Sequence, residues 1–294
     1  MERISKEQIQ AWLPKREPDA HKGDFGRILV IAGSHGMMGA CILACRAAFR
    51  SGSGLVAACC PPEFFSVVHT GVPEATCVSR DAFDPAKYDA VAIGSGLGVS
   101  RENYEMICRI LREYEGPVVL DADGINSLSE YGVPSASETR AHLVLTPHAA
   151  EAARLVNASA EAGRPPVTPQ DVASDRAFYG KFLAKRLHAA CVMKGRGSLI
   201  CLPDGTVYEN TTGNPGMATG GSGDVLTGVT VSLAGQYAAQ GVTAESACVL
   251  AAVCGVYLHG LAGDIAAEKW GEAGVMAGDI ADGAAIAWKH IDKK

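Results

Sequence analysis

The residues best placed to do chemistry form one run, Asn214-Pro215-Gly216-Met217-Ala218-Thr219-Gly220-Gly221-Ser222-Gly223-Asp224-Val225-Leu226-Thr227-Gly228. Its glycines permit positive φ and close backbone approach. They lead straight into an apolar, helix-like stretch, 225–239. The first amides of a helix have no partner within it, and with the helix dipole they favour an anion. A carboxylate at that mouth would repel a bound phosphate unless it acts on something else. Asp224 makes sense as a base for a hydroxyl while Gly221, Ser222 and Gly223 hold a phosphate in transfer, a base beside an anion cradle. The plainer alternative is a glycine loop with Asp224 as an ordinary helix-start residue.

The elements that must position this run are readable in outline. Ser5-Lys6-Glu7-Gln8 fits a capping box that opens a short helix ending before Pro14. Short apolar runs at 27–32, 55–60, 75–79, 90–93, 118–120, 143–145 and 190–193 read as strands. Helical stretches at 40–50, 64–69, 102–114, 149–156 and 176–187 alternate with them. A hairpin joins 199–202 to 206–209 through Pro203-Asp204-Gly205. Further helices are expected at 243–261 and 279–290, and the polar, proline-bearing stretch 162–169 reads as a surface loop. This alternation predicts an α/β chain with a mostly parallel central sheet and helices on both faces, in a single domain, 1–294. Such sheets bind ligands beyond the carboxyl ends of their strands. Gly33-Ser34-His35-Gly36, Gly94-Ser95-Gly96-Leu97-Gly98, Asp121-Ala122-Asp123, Thr146-Pro147-His148 and Lys194-Gly195-Arg196-Gly197-Ser198 all follow strands, so they are expected to converge on one edge.

Composition narrows the function. With 48% hydrophobic and 20% charged residues, the chain has the balance of a compact α/β protein. A net charge of −6 without a basic block argues against a nucleic-acid partner. The ten cysteines form no C-x-x-C pair and mostly lie in apolar runs. They read as small core residues in a reducing compartment. The charged start has no apolar signal segment, and the most apolar helix candidate, 247–258, is shorter than a membrane span requires. A cytoplasmic protein is expected.

Taken together and in order, these clusters resemble the ADP/ATP-dependent NAD(P)H-hydrate dehydratase family, which has a ribokinase-like fold. The resemblance runs from about residue 20 to the C-terminus. It rests on Lys22-Gly23-Asp24-Phe25-Gly26, Ala32-Gly33-Ser34 with Met38-Gly39-Ala40, the glycine, Asp and His clusters above, and the run 214–228. It also covers Val256-Tyr257-Leu258-His259-Gly260-Leu261-Ala262-Gly263-Asp264. Two departures stand out. Ala149-Ala150-Glu151 replaces the family's Pro-Gly-Glu after Thr-Pro-His, which leaves Glu151 in register but changes the turn, and Ser95 replaces a proline, which removes a rigid φ and is expected to matter less.

The resemblance implies a substrate hydrated at C6 of its nicotinamide ring, restored to NADH or NADPH at the expense of ADP or ATP, with Mg²⁺. It implies Asp224 as catalytic base and Gly221, Ser222 and Gly223 as the anion hole. Lys194, Gly195, Arg196, Gly197, Ser198 and Gly223 would bind nucleotide, and Ala40, Gly96, Gly98, His148 and Asp224 the hydrate. Lys22 and its glycine loop are expected to close over phosphates. Asp121 and Asp123 either face the site or cap the next helix, and His259, among apolar neighbours, reads as a core histidine. The metal ligands stay open, with Glu151 one candidate. The family also implies a homotetramer and a separate NAD(P)H-hydrate epimerase as functional partner.

The main rival is a ribokinase-like small-molecule kinase for hydroxyethylthiazole or a pyrimidine alcohol, which would share residues 221–224. A non-catalytic nucleotide-sensing module is weaker, given Asp224. A dinucleotide-binding dehydrogenase is disfavoured, because neither early glycine cluster supplies G-x-G-x-x-G with its acidic residue.

Overall fold

Short runs of aliphatic residues buried on both faces can only be strands in the middle of a sheet, and that is where the chain puts them. The computed structural model describes residues 1–159 and 165–291. Ten strands form one sheet: β1 (Glu2–Arg3), β2 (Arg27–Ile31), β3 (Leu55–Cys59), β4 (Thr76–Val78), β5 (Ala90–Ile93), β6 (Pro117–Leu120), β7 (His142–Leu145), β8 (Ala189–Met193), β9 (Leu199–Cys201) and β10 (Val207–Glu209). Their order is β1-β10-β9-β8-β7-β6-β5-β2-β3-β4. The run from β8 to β4 is parallel throughout, while β9 and β10 form the antiparallel hairpin expected around Asp204-Gly205.

Side chains alternate across the strands and so feed two separate cores. Val30, Ala58, Ala92, Val119 and Val144 face one side, packed by α2 (Met38–Arg50), α9 (Ser222–Ala239), α10 (Ala244–Trp270) and α11 (Ala277–Ile291). Leu29, Ile31, Val91, Ile93 and Leu120 face the other, packed by α4 (Arg101–Glu113), α5 (Ala122–Tyr131), α6 (Ala149–Ser159) and α8 (Arg176–Leu187). The expected α/β architecture with helices on both faces is therefore present. Helix α9 is buried without a break from 225 to 237 because it lies between the sheet, α2 and α10. Gly228 lets α2 in: a Cβ there would sit 2.2 Å from the Ala44 carbonyl oxygen.

The chain reverses direction between β2 and β5, which lie side by side. Strands after β2 build outward one way and strands after β5 the other, so the ends of these two strands form the crevice where such sheets bind ligands.

Several expectations need correction. Helix α5, implied only by the capping alternative for Asp121 and Asp123, has no bounds in the sequence pattern, because Asp123-Gly124-Ile125-Asn126-Ser127 is rich in weak helix formers and packing makes it helical. The edge strand β1 was too short to leave a pattern. Residues Lys22–Phe25 form a 3₁₀ helix packed at the far end of α9, where a Cβ on Gly26 would lie 2.7 Å from Gly235. Gly235 is eleven residues past Asp224, about 16 Å along a helix axis. This segment also precedes β2, so it cannot close over phosphates at the opposite ends of the strands. Helix α10 extends to Trp270 and is, contrary to expectation, long and apolar enough to cross a membrane, yet 78% of its most apolar window is buried inside the fold. It serves here as a core helix. The loop expected at 162–169 lies partly outside the described residues.

Candidate active site

Gly221 ends the loop before α9 with φ +93°, a conformation that suits glycine. It has no room for a side chain either, since a Cβ would meet Leu43 Cδ1 at 2.5 Å and Ala277 Cβ at 3.0 Å. The turn delivers the helix mouth to the ends of β5 and β6. The Gly221, Gly223 and Asp224 amides have no protein acceptor among the described residues, whereas the Ser222 amide donates to the Thr219 carbonyl at 3.3 Å. Of the three residues expected to form the cradle, Gly221 and Gly223 keep amides without a protein acceptor, while the Ser222 N–H is engaged within the loop.

Lys194, at the end of β8, reaches this mouth. Its Nζ donates to Asp121 Oδ1 at 2.7 Å and lies 3.5 Å from Glu151 Oε2. A Cβ on Gly223 would be 3.6 Å from both that Nζ and Asp121 Oδ2. Burial pulls the Lys194 ammonium towards neutrality, but the two carboxylates outweigh it and hold its pKa above the ordinary lysine value. Asp121 follows β6 and does not cap α5. Its second oxygen accepts from Thr227 Oγ1 at 2.9 Å, so it ties α9 to Lys194. Of the two alternatives for Asp121, it stands at the N-cap position of α5 but its side chain makes no capping bond and pairs with Lys194 instead. Ala122, next in line, has the rare φ of +44° that turns the chain away.

Asp224 lies in the first turn of α9. Burial pushes its carboxyl up to about 6, and Asp121 and Asp123 push the same way. Lys194 opposes them, as does the Ser95 hydroxyl. Ser95 is 1% exposed, and its hydroxyl lies near enough to favour the ionised Asp224 without closing a hydrogen bond to it. The serine that was expected to matter less therefore stands beside the carboxylate most suited to be a base.

The loops at the β2/β5 crevice are tied to one another. Gly33 N donates to Ser95 O at 2.8 Å, and Ser34 Oγ to Gly96 O at 2.8 Å. Gly96 has φ +60° and packs on α2, a Cβ there meeting Ala40 Cβ at 3.1 Å. Gly98 N donates to Asp123 Oδ2 at 2.8 Å, so Asp123 fixes this loop. The structure thus brings Ala40 and Gly96 together and binds Gly98 to Asp123. His148 caps α6: its Nδ1 accepts from Ala150 N at 3.1 Å and Glu151 N at 3.3 Å. That leaves its Nε2 facing Glu151 Oε1 at 3.3 Å. Glu151, buried, also accepts from His148 N at 2.8 Å, which joins His148 through Glu151 to Lys194.

On the other side of Lys194 opens a cavity of about 790 Å³. The segment Lys194-Gly195-Arg196-Gly197-Ser198 forms one wall, with Ser222 and Gly223 beside it. Ser198 Oγ donates to Gly195 O at 3.0 Å, and Arg176 Nη2 to Arg196 O at 2.7 Å, which hold this loop in shape. Asn210, Thr212, Asn214 and His259 also line it, together with apolar side chains such as Met217, Leu226 and Val256. Gly213 N and Asn214 Nδ2 both donate to the Asp264 carboxylate at 2.9 Å. Asn210 and Thr212 follow the hairpin strand β10 and belong to no motif that would single them out. His259, read as a core residue, is 9% exposed but lines the cavity, with Nε2 3.4 Å from Ser222 Oγ.

Among the described residues no three His, Cys, Asp or Glu side chains gather as a metal site. Asp121 and Glu151 are spent on Lys194, Thr227 and His148. This donor set suits a divalent cation carried on a ligand's phosphates, not one caged by protein. The described cysteines are all free.

The arrangement suits phosphoryl transfer: amides without protein acceptors beside a lysine, a cavity large enough for a nucleotide on one side, and a half-buried carboxylate next to the glycine loop that follows β5.

Comparison with known proteins points the same way. The sequence model of the NAD(P)H-hydrate dehydratase family matches residues 28–284. A bifunctional NAD(P)H-hydrate repair enzyme of Moorella thermoacetica is 40% identical over 291 residues, covering 92% of this chain and 50% of its own length. The chain spans about half the length of the curated relatives that match it first. An ADP-dependent (S)-NAD(P)H-hydrate dehydratase of Neisseria meningitidis is 39% identical, covering 95% of this chain and 90% of its own. Among solved structures, the ADP/ATP-dependent NAD(P)H-hydrate dehydratase of Bacillus subtilis, co-crystallized with ATP and Mg²⁺, superposes with a TM-score of 0.83. It is 29% identical, and the match covers 99% of this chain and 98% of that one.

Proposed function

The chain belongs to the NAD(P)H-hydrate dehydratase family, and from that premise we propose that it dehydrates (6S)-NAD(P)H hydrate to NADH or NADPH at the expense of ADP or ATP. Hydroxide is a poor leaving group. Transfer of the nucleotide's terminal phosphoryl group to the C6 hydroxyl converts it into phosphate, a good one. The electron pair of the ring nitrogen then expels that phosphate, and loss of a ring proton restores the dihydropyridine. ADP gives AMP and ATP gives ADP, each with one phosphate.

In this reading Asp224 accepts the hydroxyl proton as the new P–O bond forms. The observation that carries it is a half-buried carboxylate at the helix mouth, raised to about 6 by desolvation, next to the unpartnered amides of Gly221 and Gly223. That value leaves Asp224 ionised near neutrality yet basic enough to take a proton. Those amides, with Lys194, neutralise the moving oxygens, and the work is mainly positioning and electrostatics. The cavity lined by residues 194–198 takes the nucleotide. The crevice at Ala40, Gly96 and Gly98 takes the hydrate, with backbone close to the ligand. His148 contributes through Glu151, which it orients towards Lys194. Mg²⁺ belongs to the same reading and supplies charge neutralisation on the nucleotide phosphates. So do a homotetramer, a cytoplasmic location suited to free cysteines, and pairing with an NAD(P)H-hydrate epimerase, in keeping with the bifunctional relatives.

The test is direct. Purified protein is given NADH hydrate with ADP or ATP, and the returning absorbance of NADH is followed. Restored NADH with stoichiometric phosphate supports the reading. Phosphorylation of hydroxyethylthiazole or a pyrimidine alcohol, with no restored NADH, sinks it in favour of the kinase.

A further inference from the structure

His259 is the one buried titratable group on the cavity wall that the proposed reaction leaves without a task. It projects from α10 towards the N-terminus of α9, with Nε2 3.4 Å from Ser222 Oγ. Helix α10 cannot retreat from this wall. It presses on the end of the β10 segment, where Thr212 Oγ1 donates to Tyr257 O at 2.9 Å and would be 2.2 Å from a Cβ on Gly260. The Ser222 amide is already engaged with Thr219 O, so the hydroxyl is what this residue can offer an anion. A free hydroxyl rotates and is as ready to accept as to donate. Something must fix it if it is to serve as a donor.

Burial keeps the His259 imidazole neutral, lowering it to about 4, and the Lys194 charge works in the same direction against the Ser222 backbone. A neutral imidazole has one donor and one acceptor nitrogen. With the proton on Nε2, the ring donates to Ser222 Oγ, and the hydroxyl proton is left for an oxygen in the cavity. With the proton on Nδ1, Ser222 donates to the ring and turns its proton away from the cavity. An anion beside Gly223 favours the first arrangement. We propose that His259 is a positioning residue whose Nε2–H holds the Ser222 hydroxyl as a hydrogen-bond donor to the transferring phosphoryl group. The inference rests on the phosphoryl-transfer reading above and adds a donor that replaces the spent Ser222 amide.

Turnover at saturating nucleotide and hydrate tests it in four variants: His259→Phe, His259→Gln, Ser222→Ala and the double variant His259→Phe/Ser222→Ala. His259→Phe should lower kcat roughly tenfold, the scale of one lost hydrogen bond. Gln, whose amide nitrogen reaches the Nε2 position, should recover most of it. In the Ser222→Ala background the Phe change should cost no more than about twofold, because the two residues act as a unit. An equal loss in both backgrounds, or Gln no better than Phe, overturns the proposal. Nitrogen NMR of the wild-type protein with ADP and orthovanadate reads the tautomer without any variant. A proton on Nε2 is expected, and one on Nδ1 contradicts the proposal. Wild-type protein that restores no NADH would instead count against the dehydratase reading, which the tautomer measurement does not depend on.

Discussion

The two sides of the site are built differently. On the side proposed for the nucleotide the protein encloses about 790 Å³, leaves amides at the mouth of α9 without protein acceptors, and holds Lys194 between two carboxylates. On the side proposed for the hydrate the loops after β2 and β5 bond to each other, through Gly33 and Ser95 and through Ser34 and Gly96, and to Asp123 through Gly98. The first side is prepared for charge in advance. The second is a rigid backbone surface against which a flat ring and its hydroxyl can be laid. Preorganised dipoles suit the group whose charge is redistributed in the transition state, and rigid positioning suits the group whose hydroxyl must be aimed. Asp224 stands where the two meet.

The sharpest way to break this division is Asp224→Asn. Turnover should fall by about two to four orders of magnitude while nucleotide binding, measured by calorimetry, persists. Equal losses of binding and turnover would place Asp224 on the nucleotide side.

The glycines of the mouth sharpen it further. Gly221→Ala forces a side chain into φ +93° and onto Leu43, and should cost about 1–3 kcal/mol of stability by thermal or denaturant unfolding. At Gly223 a Cβ meets nothing closer than 3.6 Å. Gly223→Ala should therefore leave stability within roughly 1 kcal/mol and weaken nucleotide affinity, because the methyl fills the space between the amide and Lys194. The reverse pattern would mean that the amides do not face the ligand.

Much of the site was legible because its residues are unusual where they stand. Glycines before an acidic residue at the start of an apolar helix have few structural explanations, and the run 214–228 announces both the turn and a carboxylate at the helix mouth. His259 was not legible, since a histidine among Leu258, Gly260 and Leu261 looks the same whether it fills a core or a cavity wall. Ser222 was half legible: its position was clear, but only the backbone path through Thr219 shows that its amide is spent. Helix α10 misled in length because a helix buried on all sides has no period to mark its ends. Helix α5 hid behind Asp, Gly, Asn and Ser, whose local preferences are overruled by packing. The sheet, in contrast, was visible strand by strand, because buried parallel strands are plain aliphatic runs.

A subtler consequence concerns stability. The Asp224 carboxyl is at about 6 in the folded chain against a reference of 3.8 when exposed. Its ionisation is therefore harder in the fold, and this group costs stability as pH rises from below 4 to above 6. Asp224→Asn removes that cost and should stabilise the protein by about 1–3 kcal/mol above pH 6, with the gain fading below about pH 4. A gain independent of pH would argue that the carboxylate is not desolvated. The smallest effect is expected on the hydrate side. Asp123→Ala frees Gly98 N and should raise KM for the hydrate about three- to tenfold, with nucleotide KM unchanged.

The most direct measurement is the pH dependence of kcat/KM for the hydrate at saturating nucleotide, in wild-type protein and in Asp224→Asn. Asp224 must be ionised to take the proton, so the wild-type value should climb about tenfold per pH unit and level off above roughly pH 6. The residual activity of Asp224→Asn should show no such limb. A wild-type profile flat through that range, or the same limb in the Asn variant, would contradict the assignment of Asp224 as the base.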